Sequence, residues 1–103
     1  MLKGKQKRFL RQLAHPLKPL INIGKGGVTE SLIKQTQVGL LSHELIKIKV
    51  LEACPEDRYV CAEQLVKATG AELVQVIGRM VVLYSPHPEE PTIVLPQLES
   101  SEA

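Results

Sequence analysis

The stretch Leu20-Ile21-Asn22-Ile23-Gly24-Lys25-Gly26-Gly27-Val28-Thr29-Glu30 decides the fold, because its character changes twice within a few residues. Leu20 to Ile23 is a short apolar run suited to a strand, and Gly24 to Gly27 forms a GxxG loop. Thr29 is a credible N-cap, followed by Glu30 in the first helical turn, where the helix dipole favours an acid. A strand, a glycine loop and a helix in this order announce an α/β chain. The loop also has a chemical reading. Glycines let backbone approach an anion closely, the first helical turn offers unpaired N–H groups, and Lys25 adds a positive charge. The same four residues equally describe a turn that needs positive φ. The sequence before the loop favours the anion, because Lys3, Lys5, Lys7, Arg8, Arg11 and Lys18 precede it and no acid occurs before Glu30.

Residues 3 to 14 are expected to form a helix, with Phe9, Leu10, Leu13 and Ala14 as its packed side and Lys5, Lys7, Arg8 and Arg11 around the rest. Pro16 disfavours helical geometry at His15, so His15 to Pro19 becomes an extended connector. The second helix runs from Thr29 to about Ser42 with Leu32, Ile33, Thr36 and Leu40 on one face. Gly39 within that helix suggests close packing against a strand or the first helix. Leu45 to Leu51 alternates as a strand, with Ile46, Ile48 and Val50 on one face and Lys47 and Lys49 on the other. A third helix carries Ala62, Leu65, Val66 and Thr69 and stops at Gly70. Leu73 to Ile77 and Met80 to Tyr84 flank Gly78-Arg79 as a hairpin with glycine at the first turn position.

The predicted fold is α/β: a two-layer sandwich in the order α-β-α-β-α-β-β, with a four-stranded mixed sheet, three helices and one sheet face partly open. Its 103 residues and 44% apolar content suit a single domain with an aliphatic core, since Phe9, Tyr59 and Tyr84 are the only aromatic residues. That domain is expected over residues 1 to 96. Pro86, Pro88, Pro91 and Pro96 mark an extended end, of which Thr92 to Leu95 is apolar enough to lie against the body. Residues 97 to 103 are expected to be a mobile acidic tail.

The formal net charge of +2 hides an asymmetry. Residues 1 to 29 hold seven Lys or Arg and no acid, whereas residues 86 to 103 hold four Glu and no Lys or Arg. Such a concentrated positive field suits a polyanion. No stretch approaches the roughly 18 to 20 apolar residues of a membrane span, and the basic start is not followed by a signal-peptide core, so a cytoplasmic protein is expected. Cys54 and Cys61 follow neither CxxC nor zinc-ligand spacing and are expected to be free thiols, and no metal or cofactor is signalled. An enzyme is not expected. His15, His43 and His87 are scattered, and the glycine loop lacks the GxxxxGK[ST] spacing of a nucleotide-hydrolysing loop.

His15-Pro16-Leu17-Lys18-Pro19, the GxxG loop, Leu45-Ile46-Lys47-Ile48-Lys49, Thr69-Gly70-Ala71 and Val76-Ile77-Gly78-Arg79 through Leu83-Tyr84-Ser85 together resemble the CRM domain, named for chloroplast RNA splicing and ribosome maturation. The likeness is to the bacterial stand-alone YhbY type and spans roughly residues 2 to 96. It implies an RNA-binding domain similar to the C-terminal domain of translation initiation factor three, acting on precursors of the large ribosomal subunit. Gly24 and Gly27 fill the family's GxxG glycines, with Lys25 and Gly26 in the variable places. Ser85 stands where the family often has a basic residue, and the acidic terminus lies outside the likeness.

On this reading Gly24, Lys25, Gly26 and Gly27 meet a sugar-phosphate backbone, flanked by Lys3, Lys5, Lys7, Arg8, Arg11, Lys18 and Lys34. Lys47 and Lys49 have two readings, contact with RNA or protection of a sheet edge. Tyr84 likewise reads as a stacking platform or as core. The expected partner is RNA, contacted by a monomer, with no membrane and no small-molecule substrate. The rival reading is a ribosome-assembly adaptor that binds protein without touching RNA.

Overall fold

In a computed structural model, described over residues 2–96, the chain folds as α1 (Gly4–Ala14), β1 (Ile21–Ile23), α2 (Glu30–His43), β2 (Leu45–Val50), α3 (Arg58–Thr69), β3 (Glu72–Ile77) and β4 (Met80–Tyr84). The predicted order of elements is the observed one. The local signals act as expected at the ends of the helices. The Thr29 hydroxyl accepts the Leu32 N–H at 3.1 Å and caps α2. Gly70 ends α3 at φ 75°, donating its N–H to the Val66 carbonyl. Gly78, at φ 56°, supplies the positive φ that the β3–β4 turn requires.

The sheet order is β1-β2-β4-β3, with β1 parallel to β2 and the other two pairs antiparallel. β4 is therefore inserted between β2 and β3, which flank α3 in sequence. The register Ile48↔Val81 and Ile46↔Leu83 puts Ile46, Ile48, Val50, Val81 and Leu83 on one face. There they meet Leu32 and Leu40 of α2 and Cys61, Ala62 and Leu65 of α3 in an aliphatic core. Gly39 shows how closely α2 approaches this sheet: a Cβ there would lie 2.9 Å from Leu20 Cδ2 and 3.7 Å from Ile46 Cδ1. The neighbour is strand and connector, so the first helix is not what Gly39 packs against.

The other face is the one the sequence left partly open, and α1 crosses part of it. Leu10 and Ala14 pack on Leu45, Val74, Val82 and Tyr84, with Phe9, Ile93 and Leu95 at the margin. A bulge makes this second core possible. The β3 register shifts between Leu73 and Gln75, so Val74 joins Leu10 while Leu73 and Val76 stay with the first core. Tyr84 is only 4% exposed, which makes it core and removes it as a stacking platform. Residues 85 to 96 carry no helix or strand, yet they are held. The Glu44 carboxylate accepts the N–H groups of His87, Thr92 and Ile93 and the Thr92 hydroxyl, all within 2.9 Å. Thr92 to Leu95 thus lies against the body, as its apolar composition suggested. The acidic tail expected over residues 97 to 103 falls outside the described residues.

Candidate functional site

The glycine loop is a β-turn in which the Gly27 N–H donates to the Gly24 carbonyl at 3.0 Å, leaving Lys25 and Gly26 exposed at its tip. The turn reading of the loop holds, because the turn needs its glycine. Gly27 sits at φ +69° and is buried against Pro55, whereas Gly26 has ordinary φ and room for a Cβ. Gly27→Ala should therefore cost about 1 to 2 kcal/mol in urea denaturation through left-handed strain. Gly26→Ala should change stability by no more than about 0.5 kcal/mol. Equal effects would mean that backbone geometry does not set the loop.

Two backbone hydrogen bonds place this loop among its neighbours. Leu51 donates its N–H to the Ile23 carbonyl, and Val50 donates to the Arg79 carbonyl. The glycine loop, the segment after β2 and the β3–β4 turn therefore share one end of the sheet. Glu44 and the segment it holds occupy the other end.

Between these ends lies a groove of about 450 Å³ whose walls include Arg8, Arg11 and His15 of the first helix and its connector, and Lys47 and Gln75 of the sheet. Arg8, Arg11, Gln12 and His15 recur at three, four and seven residues, so one stripe of α1 faces the groove. The Lys47 ammonium donates to the His15 carbonyl at 3.4 Å and ties the connector to the sheet. Lys49 lies on the same sheet face as Lys47, two residues nearer the glycine-loop end. Its cross-sheet row is Asn22, Lys49, Met80 and Ile77, in which Asn22 and Ile77 are exposed. α1 covers the rows behind this one and leaves it uncovered. A basic path thus runs from Arg8 and Arg11 through Lys47 and Lys49 toward the end that carries Lys25.

No carboxylate among the described residues lines the groove. Among the described residues the one ion pair joins Arg79 to Glu52 at 3.7 Å, and both side chains are largely exposed. Arg8, Arg11, Lys47 and Lys49 are thus left without acidic partners of their own. Unpaired like charges repel one another, and a polyanion relieves that repulsion.

The remaining predicted residues are more dispersed. Lys3 precedes α1, where its backbone N–H donates to the Gln6 side chain, and Gln6 in turn reaches the Pro96 carbonyl. Lys3, Lys5 and Lys7 do not line the groove. Lys18 lies in the connector beside His43, Leu45 and Lys47. Lys34 belongs to α2, on the opposite side of the sheet from α1. There it borders a depression of about 520 Å³ with Leu20, Val38, Gly39 and His43 at the β1 edge. Sequence reading missed His15, Gln12 and Gln75 as groove walls and left Lys47 and Lys49 undecided. The alternation of β2 was visible, but nothing local showed that α1 would cross that face.

A family model described as the CRS1 / YhbY (CRM) domain matches residues 2–85. The probable RNA-binding protein YqeI of Bacillus subtilis is 51% identical over 96 residues, covering 93% of this chain and all of that protein. A Haemophilus influenzae protein named RNA-binding protein is 43% identical over 96 residues, 93% of this chain and 96% of its own length. The solution structure of the hypothetical Staphylococcus aureus protein SAV1595 superposes with a TM-score of 0.78 at 51% identity, over 93% of this chain and the whole of that one.

Proposed function

Because the chain belongs to the CRS1/YhbY (CRM) domain family, we propose that it binds structured RNA by its phosphate backbone. The observation that carries this reading is the groove between α1 and the sheet, where Arg8, Arg11 and Lys47 converge and, among the described residues, no carboxylate does. The RNA backbone lies along Arg8, Arg11, Lys47 and Lys49, and its end meets Lys25 at the glycine loop, where main-chain N–H groups and the start of α2 face phosphate. Lys3, Lys5, Lys7 and Lys18 widen the positive field on the α1 side, and Lys34 extends it behind the loop. Base stacking has little part in this mode. Tyr84 is buried, and Phe9, half-buried, packs on the core beneath α1. The one exposed ring, Tyr59, lies on α3, on the other face of the sheet from the groove, with the Arg58 guanidinium over it at 4.9 Å.

The RNA we propose is that of the large ribosomal subunit or its precursor, and the role is in ribosome maturation. The relatives named as RNA-binding proteins support RNA as the partner, and the resemblance to the ribosome-maturation type suggests which RNA. Titrating a labelled, structured fragment of large-subunit RNA at about 50 to 200 mM salt tests the mechanism. With about five phosphates neutralised, the logarithmic salt slope should fall at roughly −3.5 to −4.5, taking 0.7 to 0.9 per contact. A complex indifferent to salt would sink the backbone mode, and equal affinity for any duplex would sink the ribosomal assignment.

A further inference from the structure

Cys54 and Cys61 have no recognised motif spacing, yet the fold brings their sulfur atoms to 3.6 Å. Both thiols are free. Cys54 is half-buried in the segment after β2, where its N–H donates to the Leu51 carbonyl. It lines a cavity of about 270 Å³ together with Glu56, Asp57, Arg58, Gly78 and Arg79. Cys61 lies behind it in α3 and is fully buried. One thiol can thus be reached through a surface cavity, and the second waits within contact distance inside. The position of the pair matters as much as its spacing. Pro55, next to Cys54, packs beneath the glycine loop, where a Cβ on Gly27 would lie 3.8 Å from its ring.

We propose that Cys54 and Cys61 form a thiol–disulfide switch that responds to low-molecular-weight disulfides and alters the glycine loop through Pro55. Its output rests on the RNA-binding reading of that loop. In the first step the Cys54 sulfur, having lost its proton, attacks one sulfur of the small disulfide. The small disulfide's S–S bond breaks, and one thiol leaves with a proton, giving a mixed disulfide on Cys54. In the second step Cys61 loses its proton and attacks the Cys54 sulfur, and the other small thiol departs. Two protein thiols are oxidised, and one small disulfide is reduced to two thiols. The order of attack follows from access: Cys54 lines the cavity, whereas Cys61 is fully buried behind it, and burial pushes the Cys61 thiol up, disfavouring its thiolate. Cys61 is therefore the resolving thiol. Forming the bond draws the sulfurs from 3.6 Å to about 2.0 Å and ties Cys54 covalently to α3, which restrains the adjoining segment that bears Pro55.

The test treats the reduced protein with oxidised glutathione and follows intact and peptide masses. The expected product has lost two hydrogens and carries a Cys54–Cys61 link. Cys61→Ala should instead stop at the glutathione adduct on Cys54, and Cys54→Ser should remain unmodified. RNA affinity of the linked form should be weaker than that of the reduced form by about fivefold or more, the lower range of couplings between linked sites, and a reductant should restore it. A wild-type adduct that never resolves into the link overturns the disulfide. A link with unchanged RNA affinity overturns its coupling to the loop. The mass readout needs no RNA, so failure of the RNA reading is seen separately, as absent binding by the reduced protein.

Discussion

Replacing Glu44 with alanine is expected to lower the unfolding free energy by about 2 to 4 kcal/mol, the cost of orphaning several partners of a buried ion at once. Glu44 is 2% exposed and adopts φ 66°, a conformation uncommon for a side chain of this size. It persists there because one carboxylate gathers three backbone N–H groups and the Thr92 hydroxyl from a segment more than forty residues away. The same contacts hold Ile93 and Leu95 against the cluster beneath α1. Losing the carboxylate should therefore free residues 87 to 95 and loosen the wall that carries Arg8 and Arg11. Urea denaturation with hydrogen exchange at Ile93 measures both effects. A loss below about 1 kcal/mol would mean that the clasp adds little beyond one ordinary hydrogen bond.

The pH dependence of this effect has a definite sign. Burial alone would raise the Glu44 pKa, but the hydrogen bonds from His87, Thr92 and Ile93 outweigh it and hold the group at about 2, below its ordinary 4.5. The charged form is thus favoured by folding. Its contribution is complete above about pH 4.5 and is lost as pH falls through about 2. The stability gap between the native protein and Glu44→Ala should narrow over that window. A gap that stays constant to pH 2 would show that the carboxylate charge does not drive the clasp.

The largest effect on binding is expected from reversing two charges in the groove. Arg11→Glu with Lys47→Glu should weaken the proposed RNA complex about 100-fold near physiological salt, through two lost phosphate contacts and the repulsion that replaces them. The salt slope should flatten by roughly 1.5 units, at 0.7 to 0.9 per contact. Arg11 is exposed and Lys47 partly so, which leaves both cores unaltered. Lys34→Glu is the companion measurement, because Lys34 borders a different depression on the α2 side of the sheet. It should cost far less affinity. If Lys34→Glu were as damaging as the groove double variant, the interface would lie along the β1 edge instead.

Much of this architecture is written locally. Thr29, Gly70 and Gly78 act as the cap, stop and turn that their residue types imply, because each works through the backbone of its own few neighbours. The alternation of Ile46, Ile48 and Val50 correctly marked one buried face. The same alternation could not show what covers Lys47 and Lys49, since that depends on where α1 docks. Val74 was harder still to read. Its burial against Leu10 needs a bulge, and a bulge leaves no period in a six-residue strand.

By itself the sequence determined the order of elements, the aliphatic character of the core, the acid-free basic start and the glycine turn. All of these are properties of neighbouring residues or of composition. The tertiary structure alone decided that α1 crosses the second sheet face, and so that Arg8 and Arg11 meet Lys47 in one groove while Lys34 stands apart. It alone joined Glu44 to Thr92 and Cys54 to Cys61. These pairings arise from strand order and from the burial of one element on another, which no window along the chain contains.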